Sequence, residues 1–174
     1  MELRLLSEAD VGDVAELIRD PDTLRFTRIP EPPPDGFARS WYERYDQARG
    51  TGAKEAFAIV GDDGAFLGLA LAPEIDAEAA EAELGYIVAA HARGRGVAGE
   101  ALALLTRWAF EERGILRAYL IIDVENPASK TVAERAGYTL EGVLRSTYLK
   151  QGRRSDTELW SRLPSDPAPN TRSR

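Results

Sequence analysis

The chain has no cysteine and only one histidine, His91. These two shortages exclude disulfides, thiol nucleophiles and an ordinary Cys/His zinc site in a single step, and no metal site is expected. Basic charge is also short. Lys and Arg number 22 against 29 Asp and Glu, a formal net charge of -7, so the long-range field repels a phosphate backbone and no nucleic-acid partner is expected. Any anion has to be held by local groups. Long apolar runs are missing too. The opening "MELRLLSEAD" is charged within its first four residues and holds no apolar stretch of signal length, and nothing later approaches a membrane span. A cytoplasmic location without a membrane partner is the expectation. Chemistry is left to carboxylates, hydroxyls, backbone dipoles or a borrowed cofactor.

What is present organises as one domain, since 174 residues suit a single core. Residues 2 to 6 read as a first strand. Ser7 then caps a helix, with Asp10 three positions on and Val11, Val14, Leu17 and Ile18 as its apolar face, ending before Pro21. "TRIPEPPPDGF" is a proline-rich loop, and Trp41, Tyr45 and Ala48 share one face of a following helix. "EAFAIV" and "AFLGLALA" form a hairpin around "GDDG". "AEAELGYIVA" adds a strand with Ala82, Leu84, Tyr86 and Val88 on one face and Glu83, Gly85 and Ile87 on the other.

From Val97 the period becomes helical, with Val97, Ala101, Leu104 and Trp108 in an apolar stripe that stops at Gly114. "RAYLIIDV" is a strand, and Asn126 and Pro127 open another helix that closes at Gly137. Tyr138 to Leu163 reads as a closing hairpin around "QGRRS". The order β-α-α-β-β-β-α-β-α-β-β predicts a single α/β domain over residues 1–163, one mixed sheet with helices on its faces. "PSDPAPNTRSR", residues 164–174, is expected to be a disordered tail.

The stretch "ARGRGVAGEAL", Ala92 to Leu102, puts three glycines and two arginines into its first eight residues and runs at once into the most regular helix. Small residues let a ligand approach the backbone, and the helix beyond opens with unsatisfied amides at its positive end. Together they make an anion seat, with Arg93 and Arg95 as nearby charge. By itself the fragment also serves as a plain strand-to-helix turn with arginines for solubility. The spacing of Gly94, Gly96 and Gly99 fails the Rossmann pattern, and no Gly-Lys-Ser/Thr follows for a Walker loop.

Arg93-x-x-Gly96-x-Ala98, after a strand and at a helix start, resembles the pyrophosphate signature Gln/Arg-x-x-Gly-x-Gly/Ala of the GCN5-related N-acetyltransferases (GNAT). "ELGYIV" and "ENPASKTVAERAGYTLEGVLR" are similar to segments of the branch that includes the ribosomal-protein N-terminal acetyltransferases of the RimJ/RimL type. The resemblance implies the GNAT fold, acetyl-CoA as co-substrate and an amine acceptor attacked directly. It implies that the backbone of Tyr86, Ile87 and Val88 pairs with pantetheine at a bulge, and that Arg93, Gly94, Arg95, Gly96, Val97 and Ala98 hold the pyrophosphate. Asn126 and Ser129 then lie beside the thiol end, with Lys130 toward the peripheral phosphate. Many members carry Tyr four positions before the glycine that here is Gly137. This chain has Ala133 there, and Ser129 is the replacement named for proton donation to the leaving thiolate.

Glu83 is the first candidate for the general base, because it sits within an otherwise apolar strand where burial would raise its pKa. The plainer alternative is a solvated carboxylate at the sheet end, beside Glu78 and Glu81. Asp123 and Glu125 are weaker candidates for the same role. His91 reads as a surface residue, Trp108 and Tyr138 as core, and Trp41, Tyr42 and Tyr45 either as packing residues or as a wall of the acceptor pocket. The acceptor is a protein N-terminus or a small-molecule amine such as a polyamine or aminoglycoside. A non-catalytic acyl-CoA-binding regulatory domain is the alternative of a different class, and a homodimer is compatible with the sequence.

Overall fold

A computed structural model describes residues 1–169. The strand β1 (Glu2–Leu5) leads through a turn capped by Ser7, whose amide donates to Asp10 Oδ2 at 2.8 Å, into helix α1 (Val11–Leu17). A five-residue helix α2 (Pro21–Arg25) then intervenes where the sequence reading assigns no element. Its signal is the pair Asp20-Pro21: Asp20 accepts from the Thr23 amide at 2.8 Å, and Pro21 is preset for the first helical position. The same proline that stops α1 starts α2.

The long helix α3 (Phe37–Thr51) is followed by the strands β2 (Glu55–Val60), β3 (Phe66–Asp76) and β4 (Glu81–Val88). Helix α4 (Val97–Glu111), strand β5 (Arg117–Asp123), helix α5 (Pro127–Arg135) and the hairpin β6 (Thr139–Lys150) and β7 (Arg153–Arg162) complete the chain. Of the expected tail, residues 164–166 form a turn with Leu163, whose amide donates to Asp166 Oδ2 at 2.8 Å. Residues 170–174 lie outside the described residues.

The seven strands form one sheet in the order β1-β2-β3-β4-β5-β7-β6. All neighbours are antiparallel except β4 and β5. Both faces of its first half are covered, so every residue of β2 is buried and its pattern is a continuous run rather than an alternation. Phe57 and Ile59 join Val97, Ala101 and Leu105 of α4, while Ala56, Ala58 and Val60 join Val14, Leu17 and Tyr45 under α1 and α3.

Two irregularities in β3 shape the middle of the sheet. At Gly68 (φ 147°) β3 passes so close to β4 that a Cβ would lie 2.1 Å from the Ile87 carbonyl oxygen. Farther along, Ala72 and Pro73 form a bulge, since Leu71 pairs with Gly85 but Glu74 already pairs with Glu83. A bulge leaves one residue unpaired and bends the strand, and proline is tolerated there because it owes the ladder no N–H. Gly68→Ala is therefore expected to destabilise the protein by more than about 1 kcal/mol, through both its φ and this contact. Chemical denaturation with an unchanged slope checks it, and an unaltered midpoint refutes it.

Candidate active site

β4 and β5 run together for only three pairs, Glu81↔Arg117, Ala82↔Ala118 and Glu83↔Tyr119. Beyond them β4 stays with β3 as far as Val88, and β5 stays with β7 as far as Asp123. Leu84 to Val88 and Leu120 to Asp123 thus face each other across a split with no ladder between them. The β3 bulge is level with its apex at Glu83. The bulge expected at Tyr86 to Val88 is absent: these residues pair regularly with Ala70, Leu69 and Gly68. Their free backbone groups come instead from the lost parallel neighbour. The Ala89 amide donates to Leu67 O at 2.9 Å, so strand alternation turns the Ile87 amide toward β3 and those of Tyr86 and Val88 toward the split.

At the mouth of the split the chain turns through Ala90–Ala92 into α4. Gly94 (φ 74°) and Gly96 (φ 83°) take left-handed conformations, and no atom lies within 4 Å of where their Cβ atoms would stand. The first intrahelical bond runs from the Glu100 amide to Gly96 O at 3.1 Å, with no side chain capping the turn. The amides of Val97, Ala98 and Gly99 therefore remain as donors at the positive end of a 15-residue helix. Arg95 is exposed and makes no hydrogen bond or ion pair among the described residues. An exposed cradle of amides beside an unpaired strand edge suits a diphosphate joined to an amide-bearing arm.

Glu83 marks the apex, on the sheet face shared with Ile87 and α3, as alternation predicts. Its carboxylate makes no hydrogen bond or salt bridge among the described residues. Burial pushes its pKa up. Arg28 opposes the shift, Glu74 adds to it and Lys54 opposes it again. Tyr119 is pushed up to about 12, first by burial and then by the negative field of Glu83. Burial and Glu83 likewise raise the pKa of Tyr45, whose ring lies 4.4 Å from that of Trp41. A carboxylate that is half-buried and unpartnered is a proton acceptor of raised basicity.

The family model for the acetyltransferase (GNAT) domain matches residues 1–139. The chain belongs to the GNAT acetyltransferase family. It is 28% identical over 178 residues to the "Putative ribosomal N-acetyltransferase YdaF" of Bacillus subtilis (strain 168), covering 92% of this chain and 90% of that one. Spermidine N(1)-acetyltransferase of Escherichia coli (strain K12) is 26% identical over 152 residues, covering 87% and 80%. The fold matches the structure of RimL, a ribosomal L7/L12 alpha-N-protein acetyltransferase, in complex with coenzyme A, with a TM-score of 0.85, 21% identity and 92% of each chain covered. This GNAT enzyme is thus an N-acetyltransferase with acetyl-CoA as its acyl donor.

Two side chains of this acetyltransferase depart from their expected roles. The Arg93 guanidinium turns away from the glycine loop: Nε donates to Val88 O at 3.2 Å, and the fork meets Asp20, Asp22 and the Thr23 hydroxyl. Its charge is matched by carboxylates, so only its backbone remains for an anion. Lys130 is held by Glu158 at 2.6 Å, a carboxylate that also accepts from the Trp160 indole at 2.9 Å, and is thus drawn onto β7 rather than toward a phosphate. Nothing near Arg93 or Lys130 in sequence announces these partners.

The remaining residues sit where their surroundings dictate. Asn126 caps α5 by accepting from the Ser129 amide at 3.1 Å. Ser129 is half-buried beside Tyr86, whose hydroxyl is buried without a completed hydrogen bond. Asp123 accepts from Ser155 and the Glu125 amide, and Glu125 is paired with Arg25 and Arg153, so neither carboxylate is free for a base. Tyr138 is 4% exposed and bonded to Thr106 at 2.7 Å, a core residue. His91 is exposed. Among the described residues no helix is long and apolar enough to cross a membrane and no metal-binding cluster is present.

Gly99 has an ordinary helical φ and open space around it, which makes it a clean probe of the amide cradle. Gly99→Glu places a carboxylate in the first turn, where the helix dipole favours it, so the fold is expected to keep its melting temperature. Coenzyme A affinity measured by calorimetry is expected to fall by about tenfold or more through charge repulsion. Unchanged affinity would remove the cradle from the binding site.

Proposed function

We propose that this enzyme transfers acetyl from acetyl-CoA directly to a primary amine, with Glu83 as the general base. The observation that carries the proposal is the half-buried, unpartnered Glu83 at the apex of the split. An α-amino group has a pKa of about 7.7 to 8.0 and a lysine-like amine about 10.4. Raising the carboxylate's pKa narrows the gap across which the ammonium proton must pass. Glu83 first takes the ammonium proton and passes it to solvent; the neutral amine then forms the C–N bond, and as the C–S bond breaks the nitrogen gives up its second proton while the thiolate takes one up and leaves as the thiol. Acetyl-CoA supplies the activated thioester. The amides facing the split from Tyr86 and Val88 are assigned to the pantetheine arm and the thioester oxygen, and those of Val97, Ala98 and Gly99 to the pyrophosphate. Ser129 is assigned hydrogen-bond donation to the departing sulfur, supported by its place at the capped start of α5.

The acceptor amine is carried by a protein N-terminus or by a small cationic molecule. Glu74 and Glu81 in the field around Tyr119, and the net charge of -7, support a cationic carrier of either kind. Thiol release measured against N-terminal peptides, polyamines and aminoglycosides separates them.

Glu83→Gln is expected to lower kcat/KM at neutral pH by about 100-fold and less at high pH, where free amine is abundant. A loss that is uniform across pH would show that Glu83 only positions the amine. Stability should move the other way. A pKa raised on folding means that the native state binds the proton more tightly, so Glu83 loses stability for the fold as pH rises through the interval between its unfolded and folded values. The glutamine variant is expected to melt higher than the parent at pH 8 and level with it at low pH.

A further inference from the structure

The segment from Asp20 to Glu31 is tied to both arms of the split sheet. On the β4 side its fastener is Arg93, which bonds the Val88 carbonyl through Nε and the carboxylates of Asp20 and Asp22 through its fork. The fork also reaches Thr23 Oγ1 at 3.2 Å. On the other side the tip of the β6–β7 hairpin takes hold. Tyr148 donates to the Thr27 carbonyl, and Lys150 donates to the Leu24 and Thr27 carbonyls. Lys150 also lies 3.7 Å from the Glu31 carboxylate, and Gln151 donates to the Glu31 carbonyl at 3.4 Å. Arg25, at the end of α2, meets Glu125 at 3.4 Å, and Glu125 meets Arg153 of β7 at 3.1 Å. The N-terminal end of α2 is thus pinned to one arm and its C-terminal end to the other. No backbone ladder joins the arms beyond Glu83, so these side chains restrain how far apart they stand.

We propose that α2 and its following loop form a crosspiece that sets the width of the split, and that Arg93 is a positioning residue that couples the glycine loop to the acceptor side. This rests on the reading of the split as the site of acetyl transfer. An arginine in the phosphate signature would otherwise be taken as a phosphate ligand, but its partners here are two carboxylates, a carbonyl and a hydroxyl. The bidentate fork suits this task, because a lysine could not hold Val88, Asp20 and Asp22 at once. Asp20 has its pKa lowered chiefly by its bond to Arg93, so the clasp stays charged throughout the neutral range.

Asp20→Asn tests the two readings against each other. Asparagine keeps a cap for α2 and removes one charge from the clasp. A phosphate-ligand Arg93, released from Asp20, would bind coenzyme A more tightly. A clasp that positions the loop predicts the reverse: coenzyme A affinity falls by several-fold and kcat/KM for the amine by about tenfold, the loss expected for a charge-assisted hydrogen bond. Tyr148→Phe, on the opposite arm, is expected to raise KM for the amine in the same direction, and the double variant to lose less than the product of the single losses.

Because the chain has no cysteine, spin labels at the exposed positions Ala90→Cys and Ala128→Cys report the distance between the arms without other labelling. Their distance distribution is expected to broaden in Asp20→Asn. Tighter coenzyme A binding, or an unchanged distribution, overturns the crosspiece. The distance measurement stands even if no tested amine is acetylated, which separates this inference from the proposed function.

Discussion

The parting of β4 from β5 after Glu83 and Tyr119 is the constraint from which the other features of the site derive. A strand interior surrendered on one side leaves backbone donors and acceptors that must find partners, and a sheet centre is where such a loss costs most. The β3 bulge lies level with the point of parting, and the close pass at Gly68 lies opposite Val88 at the other end of the split, where β4 is still in register with β3. The other features are arranged around the split: Glu83 at its apex, the glycine turn at its mouth, α5 following β5, and α3 on the sheet face that Glu83 shares.

In its proposed role as the base, Glu83 illustrates how the same geometry works against stability and for chemistry. A carboxylate at the last paired position of a parallel strand loses solvent without gaining a partner, and Arg28 and Lys54 offset that only in part. A bonded neighbour would make the residue easier to bury and useless as a base. The contrast with Asp10 is direct. That carboxylate, also buried, is bonded by Arg4 and Ser7, has its pKa lowered and only holds a turn.

Much of this is legible in the sequence because it depends on short-range pattern. The period of α4, the Asn126-Pro127 start of α5 and the alternation that turns Glu83 away from Leu84 are written within a few residues. The split is not, since a strand edge alternates in the same way whether or not a neighbour pairs with it. Arg93 lies 73 residues from Asp20 and Lys130 lies 28 from Glu158, so the charge of each side chain suggests a phosphate while a distant carboxylate decides its direction. The helix α2 is hidden because Pro21 carries two meanings, and its role as a stop masks its role as a start.

In its proposed role as the pyrophosphate seat, the glycine turn at the start of α4 also bears on how the enzyme is emptied after each cycle. With Arg93 already matched by Asp20 and Asp22, a diphosphate there meets amide dipoles and one exposed arginine, Arg95, and no buried ion pair. Dipoles fix orientation through short contacts that fade quickly once the ligand begins to lift, whereas paired charges hold on over longer distances. Under the proposed assignment, a seat of this kind would grip the donor firmly enough to aim it and still let the spent carrier depart.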